Sequence, residues 1–214
     1  MNRDLLLSHE ELNRYLNNFN YSGFYELANS YHYKDCNYNI FDFKNTVKYF
    51  DLFRYFSINL QYFKYLNLHR ETNKNVLDLG SGFGYLGFLC QYHNHAYTGI
   101  DLDIEIYNDM FKFFNLEKKI CNIQPDEVIA LDKKYDYVIS VMIQYAKKWT
   151  EDNWFNFLNN LKPYLNQDAK MFFRFIRKNL SQPFFLDFLK ALERNTADYD
   201  YQREEFLIVV RKLN

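Results

Sequence analysis

The 214-residue chain carries 26 basic and 27 acidic side chains, a formal net charge of −1, so it has no global pull toward nucleic acid. Its length fits one domain with a sizeable core, and no apolar run approaches the ~20 residues that span a bilayer. Cys36, Cys90 and Cys121 are widely spaced and without a metal-type pair, which argues against a disulfide framework and for a reducing compartment.

The first residues, MNRDLLLSHEEL, contain too short an apolar run for a signal peptide, so the expected location is cytoplasmic. Aromatic residues make up 21% of the chain. Their abundance alongside Asn, Lys and Ile reads as an A/T-rich coding bias rather than as a special aromatic function. Residues 1–70 read as helical. Ser8 and Glu11 spell a capping box ahead of Leu12, Tyr15, Leu16 and Phe19, which recur at helical spacing. A second helix is predicted over Phe43 to Leu66, where Val47, Phe50, Phe53, Ile58, Tyr62 and Tyr65 recur. The Tyr-rich segment between them is less regular.

The pattern changes at Asn75 to Gly87, NVLDLGSGFGYLG. Val76, Leu77 and Leu79 bracket Asp78, and glycines follow at 80, 82, 84 and 87. A short apolar run that breaks into glycines reads as a buried strand, a tight turn and then a helix over Tyr85 to Tyr92. Such a turn lets a ligand lie against bare backbone, and the helix start suits an electron-rich group. Two spellings compete. Gly82, Gly84 and Gly87, with Asp101 about twenty residues on, spell a dinucleotide fingerprint. Asp78-x-Gly80-x-Gly82-x-Gly84 resembles motif I of the class I S-adenosylmethionine-dependent methyltransferases. Asp78 favours the second spelling: a carboxylate would face a pyrophosphate in a dinucleotide site, whereas S-adenosylmethionine carries an α-ammonium group and no phosphate. A plain strand–turn–helix link leaves an acid inside an apolar strand unexplained.

From here α and β segments alternate. Ala96 to Ile100 reads as a strand ending in Asp101, placed to accept ribose hydroxyls of either cofactor. His93 and His95, in the turn before it, read as solvent-facing. Asp103 is the expected cap of a helix over Ile104 to Phe114. Lys119 to Ile123 is a candidate third strand and Tyr135 to Ser140 a fourth. Trp149 to Leu165 is amphipathic, with Trp154, Phe157, Leu158 and Leu161 on one face, Thr150 as its cap and Asn153 a poor third-position partner. A strand at Ala169 to Ile176, a helix at Pro183 to Leu192, and strands near Tyr199 and at Phe206 to Val210 follow. The last two are joined by a QREE turn, which suggests an antiparallel hairpin.

The resemblance covers about 70–214 and implies an α/β fold. That fold is a three-layer α-β-α sandwich with a mostly parallel seven-stranded sheet ending in an antiparallel hairpin. An N-terminal helical cap over 1–70 would stand on the substrate side and 71–214 would form the cofactor-binding domain. The hairpin separates this fold from the all-parallel dinucleotide fold. The implied cofactor is S-adenosyl-L-methionine, with contacts at Asp78, Gly80, Ser81, Gly82, Gly84, Asp101, Leu102, Asn122, Ile123 and Val141. Tyr135-Asp136 matches the family's opening of the fourth strand, and Val141 to Tyr145 would face the transferred methyl.

For the acceptor, the resemblance implies Tyr31, Tyr33 and Gln144 as substrate-lining residues. Arg174 and Arg177, with Lys147, Lys148 and Lys178, would form a basic rim suited to a carboxylate or phosphate. Tyr145 and His32 are the candidate bases. No metal is implied, and the Asn/Asp-Pro-Pro-aromatic tetrapeptide of amino-methylating nucleic-acid enzymes is absent. The expected activity is methyl transfer to a small-molecule acceptor. The alternatives are an RNA or protein methyltransferase, an NAD-dependent oxidoreductase, and a catalytically silent cofactor-binding module.

Overall fold

Seven strands form one sheet in the computed structural model, which describes residues 9–32, 47–141, 144–205 and 207–213. They are β1 (Asn75–Leu79), β2 (Ala96–Asp101), β3 (Lys118–Ile120), β4 (Tyr135–Val141), β5 (Leu165–Arg174), β6 (Tyr199–Glu204) and β7 (Leu207–Lys212). The order across the sheet is β3-β2-β1-β4-β5-β7-β6. The pairs from β3 to β5 are parallel, and β7 runs antiparallel between β5 and β6. The mostly parallel sheet with a terminal hairpin is therefore as expected.

The α-helices among the described residues are α1 (His9–Leu16), α2 (Tyr21–His32), α3 (Leu52–Tyr65), α4 (Tyr85–Tyr92), α5 (Glu105–Phe113), α6 (Glu151–Leu161) and α7 (Pro183–Arg194). None is long and apolar enough to cross a membrane. The chain divides into two compact units that interleave in sequence. One takes the described part of Met1–Asn73 with Phe83–His95 and Ile104–Leu116; the other takes Lys74–Gly82, Ala96–Asp103 and Glu117–Asn214.

The sheet unit buries the apolar stripes of α6 and α7. Trp154, Phe157, Leu158 and Leu161 join Phe184, Phe185 and Phe188 in a core with Leu77, Leu79, Ile100, Val138, Met171 and Phe173. The four α6 positions share one helical face, and burying each side chain stabilises by roughly 1.5–3 kcal/mol. Thr150 caps α6, and Asn153 closes the capping box from the third position, a better partner than expected. The end strands of the sheet are guarded: β3 is three residues with two lysines, and β6 reads YDYQRE. Gln202, Arg203 and Glu204 belong to β6 itself, so the hairpin turn is tighter than a QREE loop.

Asp136 ties the sheet's start. Its carboxylate accepts from the Asn75 N–H at 2.8 Å and from Asn166 Nδ2 at 2.8 Å, joining β4 to β1 and β5. The motif position that matches the family therefore has a structural task here.

The helical unit is built of rings. Phe24 meets Phe19 and Phe50 at 5.5 Å, and Phe50 meets Phe83 at 4.9 Å, in edge-on geometries that aromatic quadrupoles favour. The predicted helix over Phe43 to Leu66 is interrupted: a 3-10 turn at Lys48–Phe50 precedes α3, and the Asp51 side chain accepts from the Arg54 N–H to start it. Residues 43–46, Ser8 and Cys36 lie outside the described residues. His95 is not solvent-facing as expected; it is buried, with Nε2 3.0 Å from the Leu68 carbonyl oxygen. His93 is half-buried, its Nε2 3.0 Å from the Tyr15 hydroxyl. Asp103 does not cap α5; Ile104 holds that place without a side-chain bond.

Candidate functional site

The strand order reverses at β1, which lies between β2 and β4. In open parallel sheets ligands bind beyond the C-terminal strand ends at that point. Within the sheet unit, the residues there are Asp78 to Gly82, Asp101 to Asp103 and the segment after β4.

Asp78 is only 6% exposed, and its Oδ2 accepts from the Tyr97 hydroxyl at 2.9 Å. Burial pushes its carboxyl up from 3.8 to about 7. The Tyr97 hydrogen bond pulls the other way, and the Asp101 carboxylate adds to the rise. A buried carboxylate answered by a neutral phenol is well placed for a cationic ligand group.

The turn after β1 is tied to β2. The N–H groups of Gly80 and Ser81 both donate to the Ile100 carbonyl, at 2.9 and 3.1 Å. The N–H of Gly82 donates to Asp101 Oδ2 at 2.6 Å, and the N–H of Leu102 to Oδ1 at 2.8 Å. Each Asp101 oxygen is thus oriented by one backbone donor. Burial raises this carboxyl, while those two donors and the Lys118 ammonium hold it down. Lys118 itself donates to the Leu102 carbonyl at 2.7 Å.

Two glycines have distinct reasons. Gly82 has φ +55°, and a Cβ built there would meet nothing within 4 Å. The left-handed backbone favours glycine, and the space above it is open for a ligand. Gly84, in the helical unit, has φ +78°, and a Cβ there would lie 2.8 Å from Leu116 Cδ1 and 3.1 Å from Phe111 Cε2. Gly84 therefore serves the packing of α4 and α5, a task its place in the glycine motif does not reveal.

Near the end of β4, Ser140 is fully buried and donates to the Leu79 carbonyl at 3.1 Å. With that proton spent, the Tyr145 hydroxyl, 2.8 Å away, donates to Ser140 Oγ. Burial drives the Tyr145 phenol up, with the Asp78 carboxylate adding to the rise. The Tyr145 phenol, expected as a candidate base, therefore holds its proton more tightly than a free tyrosine does. Its Cε1 lies 4.0 Å from where a Gly80 Cβ would stand, so it lies beside the turn.

The other predicted residues scatter. Asn122 and Ile123 lie beyond the end of β3, which is shorter than expected because pairing with β2 stops at Ile120. Asn122 is exposed and Ile123 sits in the apolar core. Leu102 is 45% exposed and Val141 half-buried. Gln144, Lys147, Lys148 and Lys178 are exposed. Arg174 is half-buried at the end of β5, and exposed Arg177 reaches Glu205 Oε1 at 3.8 Å. Tyr31, expected to line the substrate site, is 1% exposed, and its hydroxyl donates to Asp109 Oδ2 at 2.7 Å inside the helical unit. His32 ends α2, and Tyr33 lies outside the described residues. No group of three or more metal-binding side chains occurs among the described residues.

Tyr97 and Ser140 escape sequence reading. Each acts through a partner on another strand, and only the register of β1 against β2 and β4 brings those partners together.

Solved structures share this architecture. A TehB-like S-adenosylmethionine-dependent methyltransferase from Corynebacterium glutamicum superposes with a TM-score of 0.51 over 70% of this chain and 84% of its own, at 17% identity. The N-methyltransferase NodS from Bradyrhizobium japonicum gives 0.54 over 75% and 96%, at 12% identity. TrmN from Thermus thermophilus gives 0.55 over 74% and 49%, at 11% identity. The chain has the class I S-adenosylmethionine-dependent methyltransferase fold.

At the level of sequence, this methyltransferase-fold chain is 27% identical over 154 residues to an uncharacterized RNA methyltransferase of Mycoplasma mobile. The match covers 67% of the chain and 40% of that relative's length. No family model matches the chain.

Proposed function

We propose that the chain binds S-adenosyl-L-methionine and transfers its methyl group to an anionic acceptor. The observation that carries this reading is Asp78: a buried carboxylate inside an apolar strand, at the switch point, answered by a neutral phenol. The chain's own groups fit the cofactor. Asp78 would take the ammonium, the bare backbone at Gly80 and Gly82 would pass the ligand, and Asp101 would accept from the ribose hydroxyls.

The cofactor supplies an already activated methyl group, so the protein needs no covalent nucleophile. What the residues contribute is position and dryness: an acceptor held in line at near-attack distance is worth several kcal/mol. Tyr145, hydrogen-bonded to Ser140, would steady the segment after β4.

A small carboxylate- or phosphate-bearing acceptor is the first reading, supported by Arg174 at the end of β5, Arg177 and Lys178 after it, and Lys147 and Lys148 after β4. The Mycoplasma mobile relative favours a second reading, an RNA acceptor. Methyl-labelled S-adenosylmethionine incubated with total RNA and, separately, with a small-molecule extract decides between them. Label in the small-molecule fraction supports the first reading and label in RNA the second. Wild-type chain that binds no S-adenosylhomocysteine in a calorimetric titration would overturn both.

A further inference from the structure

Strand β2 lies parallel to β1, with Tyr97 opposite Val76 and Gly99 opposite Asp78. Side chains alternate along strands, so Tyr97, Gly99 and Asp101 share the sheet face that carries Val76 and Asp78. Gly99 brings no side chain to the lane between Tyr97 and Asp78. The Tyr97 ring runs along that lane and sets its hydroxyl 2.9 Å from Asp78 Oδ2. Both residues are 6% exposed.

A carboxylate's terminal torsion is broad and nearly two-fold, so an unheld aspartate does not choose a direction. With the carboxylate charged, the phenol is the donor and Oδ2 the acceptor. The bond fixes the carboxyl plane and leaves Oδ1 to a ligand. We propose that Tyr97 is a positioning residue that aims Asp78 at the ammonium of the cofactor's amino-acid moiety, and so sets the preference for ligands that carry that moiety. This rests on the reading of the site as an S-adenosylmethionine pocket. The titratable groups acting on Asp78 within the sheet unit are Tyr97 and Asp101 from β2 and Tyr145 from the segment after β4.

The test compares two ligands that share the adenosyl group. S-adenosylhomocysteine carries the ammonium; 5′-methylthioadenosine lacks the amino-acid moiety. Both are titrated calorimetrically into the wild-type chain and into Tyr97→Phe, at pH 6.5 and 8.5. Loss of a hydrogen bond to a charged group is expected to weaken S-adenosylhomocysteine by about tenfold at pH 6.5. The loss is expected to shrink at pH 8.5, because without its donor Asp78 keeps its proton to higher pH and is fully charged only there. Affinity for methylthioadenosine stays within about twofold.

Equal weakening of both ligands would make Tyr97 merely structural and overturn the proposal. So would unchanged S-adenosylhomocysteine affinity at both pH values. A wild-type chain that fails to bind S-adenosylhomocysteine overturns the cofactor reading itself, and the role of Tyr97 with it.

Discussion

Asp78→Asn tests the electrostatics of the site without any cofactor. The amide is nearly isosteric, its oxygen still accepts from Tyr97, and only the charge is removed. Asp78 is 6% exposed and its carboxyl is raised from 3.8 to about 7, chiefly by burial. The folded chain therefore holds this proton to higher pH than the unfolded chain does. Between about pH 4 and pH 7 the folded state binds more protons, so wild-type stability falls as pH rises through that window. At about 1.4 kcal/mol per pH unit, the penalty amounts to on the order of 4 kcal/mol once Asp78 is fully charged. Asn carries no such penalty. Urea unfolding of both cofactor-free proteins at pH 4, 6 and 8 is the assay. The expected result is near-equal stability at pH 4 and an Asn variant more stable by a few kcal/mol at pH 8. A difference that does not grow with pH would refute the claim that burial in β1 opposes the charge of Asp78. The same variant should lose S-adenosylhomocysteine affinity, which makes Asp78 a residue kept for binding against the interest of stability.

Other substitutions separate binding from packing. Asp101→Ala should weaken S-adenosylhomocysteine by about 1.5–3 kcal/mol, the worth of hydrogen bonds to a charged group; unchanged affinity in calorimetry would remove the ribose assignment. Gly82→Ala should cost about 1–2 kcal/mol of stability from its left-handed backbone and still fold, since the new methyl meets no protein atom. Its cofactor affinity should collapse, and normal affinity would show that no ligand passes there. Gly84→Ala should behave in the opposite way, with thermal stability reduced by about 2–4 kcal/mol through the clash with Leu116 and Phe111. Its folded fraction should bind normally. Thr150→Ala should lower stability by about 1 kcal/mol by opening the α6 capping box, with no change in ligand affinity.

Periodicity and glycine chemistry are local properties, and they carried most of the fold. The strand–turn–helix at Asn75 to Tyr92, the buried face of α6 and the terminal hairpin were readable because each depends on neighbours within a few residues. Asp78 stood out for the same reason: one acid among apolar residues is visible without a structure. The break at Asp51 and the early end of β3 were not readable, because an N-cap competes with a continuous helical pattern and because β3 ends where its partner β2 ends.

The site divides along the same line. By itself, the sequence determined that a strand carrying a carboxylate runs into a glycine turn, with a second carboxylate at the end of the next strand. Tertiary structure decided what those groups do. Register set Tyr97 against Asp78 and bound Gly82 and Leu102 to the two oxygens of Asp101. Packing assigned Gly84 to Phe111 and Leu116 and left Gly82 open. Burial raised the Tyr145 phenol beside Ser140, and packing tied the Tyr31 hydroxyl to Asp109 within the helical unit. Desolvation and hydrogen-bond direction depend on atoms far apart in the chain, and they exist only once the strands are side by side.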